Sequence, residues 1–296
     1  MPEPETTIRA GRRQVRITSA SKQLFPADGI TKRDLAEYYA RVAPVMLPHV
    51  RDRPMNLHVF PQGVDKRGFF LQDIPDHFPD WIGRITVPKR GGTVTHAVAH
   101  EPATLPYMAG QNVITPHLWS SRIDKLDYPD HLVMDLDPST QDFDEIRAAA
   151  RESGAALRDK GLHPFAMVTG SRGIHVLVPL RRTADYDRVR EFARTLAEEL
   201  VEAHPDKLTL EHRVEKRGDR LYVDVLRNAK VHTVAAPYSV RPKPGAPVAT
   251  PLHWEELDDP KLAPQRWNIK TLFDRLDDIG GDPWADVRRH ARALPR

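Results

Sequence analysis

The sequence predicts an α+β fold on two observations. Short apolar runs of strand length come in neighbouring pairs joined by glycine-containing turns, and longer stretches with apolar residues at helical spacing are interleaved with them. Hairpins interleaved with helices argue for mixed or antiparallel sheets flanked by helices, not for a doubly wound parallel sheet. The 296 residues are enough to bury a substantial core, and 40% hydrophobic with 29% charged residues is ordinary for a globular chain. No apolar run approaches the roughly 18–20 residues of a membrane helix, and the start Met1-Pro2-Glu3-Pro4-Glu5 lacks the features of a signal peptide. Cysteine is absent, which excludes disulfides and thiolate metal sites and fits a reducing cytoplasm. The net charge of +3 is small, so the distribution of charge matters more than its total.

Residues 1–14 read as a polar, flexible leader and residues 15–296 as a single domain. Val15 to Ser19 is a short strand. Thr31 with Asp34 forms a capping box ahead of Leu35, Tyr38, Tyr39 and Val42 at helical spacing, a helix that Pro44 need not stop. Residues 54–60 alternate as a strand and lead to Gly68-Phe69-Phe70. Ile85 to Val87 and Thr93 to Val98 form a hairpin around Gly91-Gly92. Residues 103–115 read as a helix weakened by Pro106 and Gly110. Asp142 to Lys160 is an amphipathic helix closed by Gly161. Pro164 to Thr169 and Ile174 to Pro179 are two strands joined by Gly170-Ser171-Arg172-Gly173. Thr183 to Val201 is a helix, Arg220 to Val225 a strand, and further helices lie around 254–259 and 270–279. His96 and His100, four apart but in strand-like sequence and without a third ligand, do not make a zinc site.

The run His131 to Pro138 ends in two carboxylates. Side chains alternate along a strand, so Asp135 and Asp137 share a face while Leu132, Met134 and Leu136 share the other. Two adjacent carboxylates repel unless a cation lies between them, and hard divalent ions favour such oxygen ligands. Aspartates that form the turn after a buried strand fit the pair equally well. Asp224, on the polar face of the strand Arg220 to Val225, adds a third carboxylate. Three carboxylates on neighbouring strands suit two divalent ions, the arrangement used for phosphoryl and nucleotidyl transfer. Arg217, Arg220, Arg227 and Asn228 lie close to Asp224 in sequence and suit polyphosphate. In Thr169-Gly170-Ser171-Arg172-Gly173-Ile174-His175, glycines allow close backbone approach while hydroxyls and a guanidinium can bind phosphate oxygens. As a bare pattern this is also an ordinary hairpin turn.

The order of the motifs is more specific than any one of them. Asp135-Leu136-Asp137-Pro138, then Gly170 to His175, then Tyr222-Val223-Asp224 with Leu226-Arg227-Asn228, and finally Thr233 to Arg241 resembles the archaeo-eukaryotic primase superfamily. More narrowly it resembles the polymerase domain of bacterial ligase D, in a stand-alone form, from about Lys22 to the 270s. The resemblance implies a template-directed nucleotidyltransferase adding ribo- or deoxyribonucleotides to a primer end in DNA repair or non-homologous end joining. It implies two divalent ions, Mn2+ or Mg2+, on Asp135, Asp137 and Asp224, with Asp224 also accepting the primer hydroxyl proton. Ser171, Arg172, His175 and Arg241 match positions that hold the incoming triphosphate, and Thr169, Gly173, Arg217 and Asn228 are grouped with them. His117 matches a nucleotide-contacting histidine. Phe70, with Phe69, matches aromatics that stack on a base. Lys22 and Lys32 fall where the 5′-phosphate at a DNA gap is recognised. Implied partners are DNA primer-template with gapped or broken ends, nucleoside triphosphates, Ku and a separate DNA ligase, in a cytoplasmic, nucleoid-associated setting.

The sequence departs from that family at several points. Ser19-Ala20-Ser21-Lys22 replaces Asn-Pro-Asp-Lys, a basic residue is replaced around His58-Val59, and Phe70-Leu71-Gln72-Asp73 lacks a lysine. These changes touch template and 5′-phosphate binding and leave the metal site intact. Two other readings compete: a haloacid-dehalogenase-type phosphatase with Asp135 as nucleophile, and a non-catalytic module that binds DNA ends.

Overall fold

The computed structural model describes residues 6–139 and 142–295. The chain packs as two compact units and passes repeatedly from one to the other: unit 1 holds the chain up to Trp119, Ala235–Val248 and Trp267–Gly281, and unit 2 holds Ser120–Val234, Ala249–Arg266 and the chain from Asp282 onward. Where a single domain is expected over 15–296, the chain divides into two parts interleaved in sequence.

In unit 1 the leader is ordered where it is described. β1 (Thr6–Ala10) and β2 (Arg13–Ile17) pair antiparallel with Ile8 opposite Val15. Ile8, Ala10, Val15 and Ile17 are buried while the intervening arginines face water. Period-two burial was hidden in the sequence by those arginines; the leader residues before Thr6 lie outside the described residues. β3 (Gln23–Phe25) and β4 (Ile30–Thr31) form a short hairpin before α1 (Lys32–Val50). Thr31 accepts from the Asp34 amide at 3.2 Å, and Asp34 accepts from the Thr31 amide at 2.8 Å, a cap of the kind worth about 1 kcal/mol. Pro44 and Pro48 each remove one helical hydrogen bond. The helix continues through them because Leu35, Tyr39, Val42, Met46 and Val50 are buried along it.

β5 (Pro54–Val59) is the hub of the unit 1 sheet. It pairs antiparallel with β6 (Phe69–Leu71), β8 (Gly92–Val98) and β9 (Val113–Trp119), and β7 (Gly83–Lys89) completes the order β9-β5-β8-β7. The helix expected over 103–115 is shorter: α2 covers Thr104–Gly110, Asn112 takes a positive φ of 63°, and β9 begins at Val113. The β-branched Val113, Ile114 and Thr115 gain more from pairing with β5 than from continuing a helix already weakened by Gly110.

Unit 2 is built on one sheet. Its strands are β10 (His131–Asp137), β11 (Phe165–Val168), β12 (Ile174–Pro179), β13 (Leu208–Thr209), β14 (Leu221–Asp224) and, beyond β15 (Thr233–Ala235), β16 (Thr250–Leu252). Their order is β13-β14-β10-β12-β11-β16, antiparallel except for β13 with β14. α3 (Phe143–Asp159) and α4 (Tyr186–Ala203) pack against it. α4 starts three residues later than its apolar pattern suggests because Asp185 caps it, accepting from the Arg188 amide at 2.9 Å. The short α5 (Val214–Arg217) belongs to unit 2, and α6 (Leu272–Asp278) to unit 1. Leu132, Met134 and Leu136 are completely buried. This anchors β10 by one face and leaves the carboxylates on the other.

Candidate active site

Three neighbouring strands of unit 2 bring the acidic residues together. Asp135 stands directly opposite Asp224 of β14 on one side and His175 of β12 on the other. Directly opposed residues of antiparallel strands share a face, so Asp224, Asp135 and His175 form a row across the sheet. Asp137 lies two residues along β10 on the same face, opposite Tyr222. Each carboxylate meets a cation. Arg227 places its Nε 3.4 Å from Asp135 and 3.2 Å from Asp224. Asp137 is 2.9 Å from Arg172 and 3.2 Å from Arg217. His175 Nε2 lies 3.4 Å from Asp135.

Burial differs along the row. The Asp224 side chain is 10% exposed, against 18% for Asp135 and 29% for Asp137. Burial raises the proton affinity of the Asp224 carboxyl; Arg227 opposes the shift, and the negative Asp135 adds to it. Asp224 also accepts from the Leu226 amide at 2.8 Å and from the Tyr222 hydroxyl at 3.4 Å. Burial and the facing carboxylate push the Tyr222 phenol up to about 12, so it stays a donor at neutral pH.

The donor set fits a hard divalent ion. Asp135 and Asp224 face each other with a guanidinium nitrogen shared between them, a place suited to a small cation. Among the described residues no three His, Cys, Asp or Glu side chains converge on one point. In this structure Arg227, Arg172 and Arg217 pair with the carboxylates that would hold an ion.

The Thr169–His175 turn positions its residues differently from one another. Thr169 Oγ1 accepts from the amides of Ser171 at 3.3 Å and Gly173 at 3.2 Å, which makes Thr169 a builder of the turn. Gly170 has φ +64°, and a Cβ on Gly173 would lie 2.0 Å from the Leu136 carbonyl oxygen, so Gly173 lets the turn lie flush against β10. The Ser171 carbonyl accepts from Gln265 at 2.8 Å. This leaves Arg172 as the projecting group, its side chain 64% exposed. Arg217 is buried, with Nε and Nη2 donating to the carbonyls of Glu211 and His212 at 2.9 and 2.8 Å and its guanidinium 4.2 Å above the Tyr222 ring.

Asn228 is placed in the interior of unit 2. It is 1% exposed, and its amide serves the backbone. Nδ2 donates to Val133 at 2.7 Å and to Val225 at 3.0 Å, while Oδ1 accepts from the Val133 amide at 2.8 Å. The β10–β14 register would pair Val133 with Leu226, but the chain has turned there into a 3-10 helix over Leu226–Asn228. The side-chain amide continues the ladder in place of the missing peptide, so the structure places Asn228 as a support of β10, with its amide engaged by Val133 and Val225. Asn228→Ala, which strands both backbone groups of Val133, is expected to destabilise the protein by about 2–4 kcal/mol in urea unfolding. A loss below about 0.5 kcal/mol would remove this role.

The remaining candidates belong to unit 1. Phe70 on β6 is 51% exposed and lies directly opposite His58 on β5. Their rings stack at 4.3 Å with 9° between planes, and His117 meets Phe70 edge-on at 5.1 Å. Arg241 sits in a loop tied down by two side chains: Thr115 Oγ1 donates to the Val240 carbonyl at 2.5 Å, and the Val240 amide donates to the Tyr39 hydroxyl at 3.1 Å. Burial, with the Arg241 charge, lowers His58 from 6.5 to about 4. His58 is therefore neutral in the fold and charged in the unfolded chain between these values. The unfolded state binds more protons there, so stability is expected to fall as pH drops from about 6.5 to about 4. His58→Phe should flatten that slope in pH-dependent thermal unfolding, and an unchanged slope would refute the assignment. Lys22 and Lys32 are brought together by the Lys32 amide, which donates to the Lys22 carbonyl at 2.8 Å. Their ammonium groups donate to the carbonyls of Pro61 and, at 3.0 Å, Thr18; Lys32 is only 5% exposed.

The sequence marked Arg227 as a polyphosphate-suited neighbour of Asp224 and gave Tyr222 and His58 no role in the site. Alternation puts Tyr222 on the face of Asp224, a usable signal. The contact of Arg227 with Asp224 is three residues along the chain, but its reach to Asp135 and the ring stack of His58 depend on cross-strand register.

The same fold is found in the polymerase domain from Mycobacterium tuberculosis ligase D in complex with DNA, with a TM-score of 0.87 at 32% identity over 93% of this chain and 98% of that one. That likeness gives the chain the fold of a ligase D polymerase domain. The chain belongs to the LigD primase-polymerase domain family, whose profile matches residues 31–284. Curated relatives include the multifunctional non-homologous end joining protein LigD of Pseudomonas aeruginosa, 32% identical over 94% of this chain and 33% of its own length. The bifunctional non-homologous end joining protein LigD of Bacillus subtilis is 30% identical over 95% of this chain and 45% of its own length. The chain thus spans between a third and a half of these relatives.

Proposed function

We propose that this chain extends the 3′ end of a primer on a DNA template, at gaps or broken ends, using nucleoside triphosphates. The observation that carries the proposal is the row Asp224, Asp135 and His175, with Asp137 beside it and arginines on every carboxylate. Asp135, Asp137 and Asp224 would hold two divalent ions, magnesium or manganese. Bound there, such ions lower the proton affinity of a hydroxyl and neutralise phosphoryl oxygens. The primer 3′ oxygen attacks the α-phosphorus as the bond to the β-phosphate breaks, and pyrophosphate leaves. Asp224, whose proton affinity burial raises, takes the hydroxyl proton. Arg172 and His175 line the phosphate side, with Ser171 and Arg217 in support, and their positive charge matches the charge that develops on the leaving group. Arg241 and His117 are further candidates for nucleotide contact, Phe70 for base stacking, and Lys22 with Lys32 for a 5′-phosphate. A cytoplasmic, nucleoid-associated location and action alongside Ku and a separate ligase complete the proposal. Among the described residues no helix is long and apolar enough to cross a membrane.

The phosphatase reading has lost its footing. It needs Asp135 in a nucleophile loop, and Asp135 lies inside β10, hydrogen-bonded between two strands. The test is extension of a gapped, 5′-phosphorylated primer-template with ribo- and deoxyribonucleotides, comparing magnesium with manganese. Template-matched incorporation is expected with at least one ion. Salt-sensitive DNA binding without incorporation under either ion would leave only the end-binding module.

A further inference from the structure

Phe60, His58 and Phe70 form a continuous set of rings. His58 lies 4.5 Å from Phe60 and 4.3 Å from Phe70, parallel to the latter within 9°. His117 stands edge-on to both, 6.2 Å from His58 and 5.1 Å from Phe70. Phe60 is buried, Phe70 is half exposed, and His58 is intermediate. One face of the Phe70 ring is therefore covered by His58, and the open face is the one available to a planar ligand.

We infer that His58 is a positioning residue: it backs the Phe70 ring and fixes the plane on which a nucleobase of the substrate stacks. The inference rests on the proposed nucleotidyl transfer and adds to it a residue that touches no substrate. Three observations support it. The pair is directly opposed across β5 and β6, so its spacing is set by backbone hydrogen bonds. β6 is only three residues long, with Phe69 and Phe70 both exposed, so the ring is held from the side of β5 and β9. His58 is held neutral by burial and by Arg241, so the ring meets Phe70 as an uncharged aromatic. Stacking of a base on an aromatic side chain is worth about 1–3 kcal/mol, and a ring free to rotate forfeits part of that through ordering entropy.

The experiment is steady-state extension of a gapped primer-template by wild type, His58→Ala, His58→Phe, Phe70→Ala and the double variant His58→Ala/Phe70→Ala. His58→Ala is expected to raise the nucleotide KM about fivefold to tenfold with kcat within about twofold, the signature of lost binding. His58→Phe, which restores a flat ring, should stay within about twofold of wild type. The double variant should match Phe70→Ala, because backing has no value once the ring it supports is gone. Additive losses, an unchanged KM in His58→Ala, or failure of phenylalanine to rescue would each overturn the role of His58. A wild-type KM in Phe70→Ala would instead overturn the base-stacking assignment, and absence of extension by wild type would overturn the proposed function itself.

Discussion

Asp224→Asn and Asp135→Asn are each expected to abolish primer extension, with a loss of at least about a thousandfold, while affinity for gapped DNA stays within about twofold. Asparagine keeps the shape of aspartate and removes its charge. Each variant takes away one of the two carboxylates that share a cation, and Asp224→Asn also removes the most buried carboxylate of the row. The fold should survive, because the Leu226 amide that donates to Asp224 can still donate to an asparagine oxygen. In Asp135→Asn, Arg227 keeps Asp224 as its partner. Retained extension in either purified variant would overturn the two-carboxylate mechanism. Loss of DNA binding together with extension would point to a structural role for the carboxylates.

Gly173→Ala is expected to combine the second large effect on activity with a loss of stability of about 3 kcal/mol or more. A Cβ there would lie 2.0 Å from the Leu136 carbonyl oxygen, far inside contact distance. The obstacle is backbone in the central strand and cannot move aside as a flexible side chain would. The turn must lift from β10, breaking the neighbouring Leu136–Ile174 pairing and carrying His175 away from Asp135 and Arg172 away from Asp137. Urea unfolding and extension assays on the same preparation check both parts. A variant as stable and active as wild type would show that the turn does not lie flush against β10 in solution.

Local chemistry made much of this protein legible. The Thr31–Asp34 capping box, the hairpin at Gly91-Gly92 and the strand ending at Asp137 each follow from residues within a few positions of one another, and each is present in the fold. The elements that deviated did so where composition or local periodicity pointed away from the pairing the chain adopts. The helix read over 103–115 gave way to β9 because Val113 to Thr115 pair with β5, more than fifty residues earlier. Residues 6–14 form a hairpin although their composition is that of a polar leader. Asn228, a plausible ligand by composition, is needed to continue the β10 ladder where β14 has turned away.

The sequence by itself determined that Asp135 and Asp137 share one face of a buried strand, because alternation is a property of the strand's own backbone. It also placed Asp224 on the polar face of its strand and put a glycine-containing turn after Val168. Only the tertiary structure decided that Asp224 and His175 flank Asp135, that Arg227 bridges two carboxylates, and that His58 stacks on Phe70. These facts depend on register between strands, far apart in sequence for Asp135 with Asp224 and twelve residues apart for His58 with Phe70. A one-residue slip of β14 against β10 would preserve every local pattern and turn Asp224 to the opposite face. Hydrogen-bond pairing across the sheet, together with burial of Leu132, Met134 and Leu136 beneath it, fixes that register and so assembles the site.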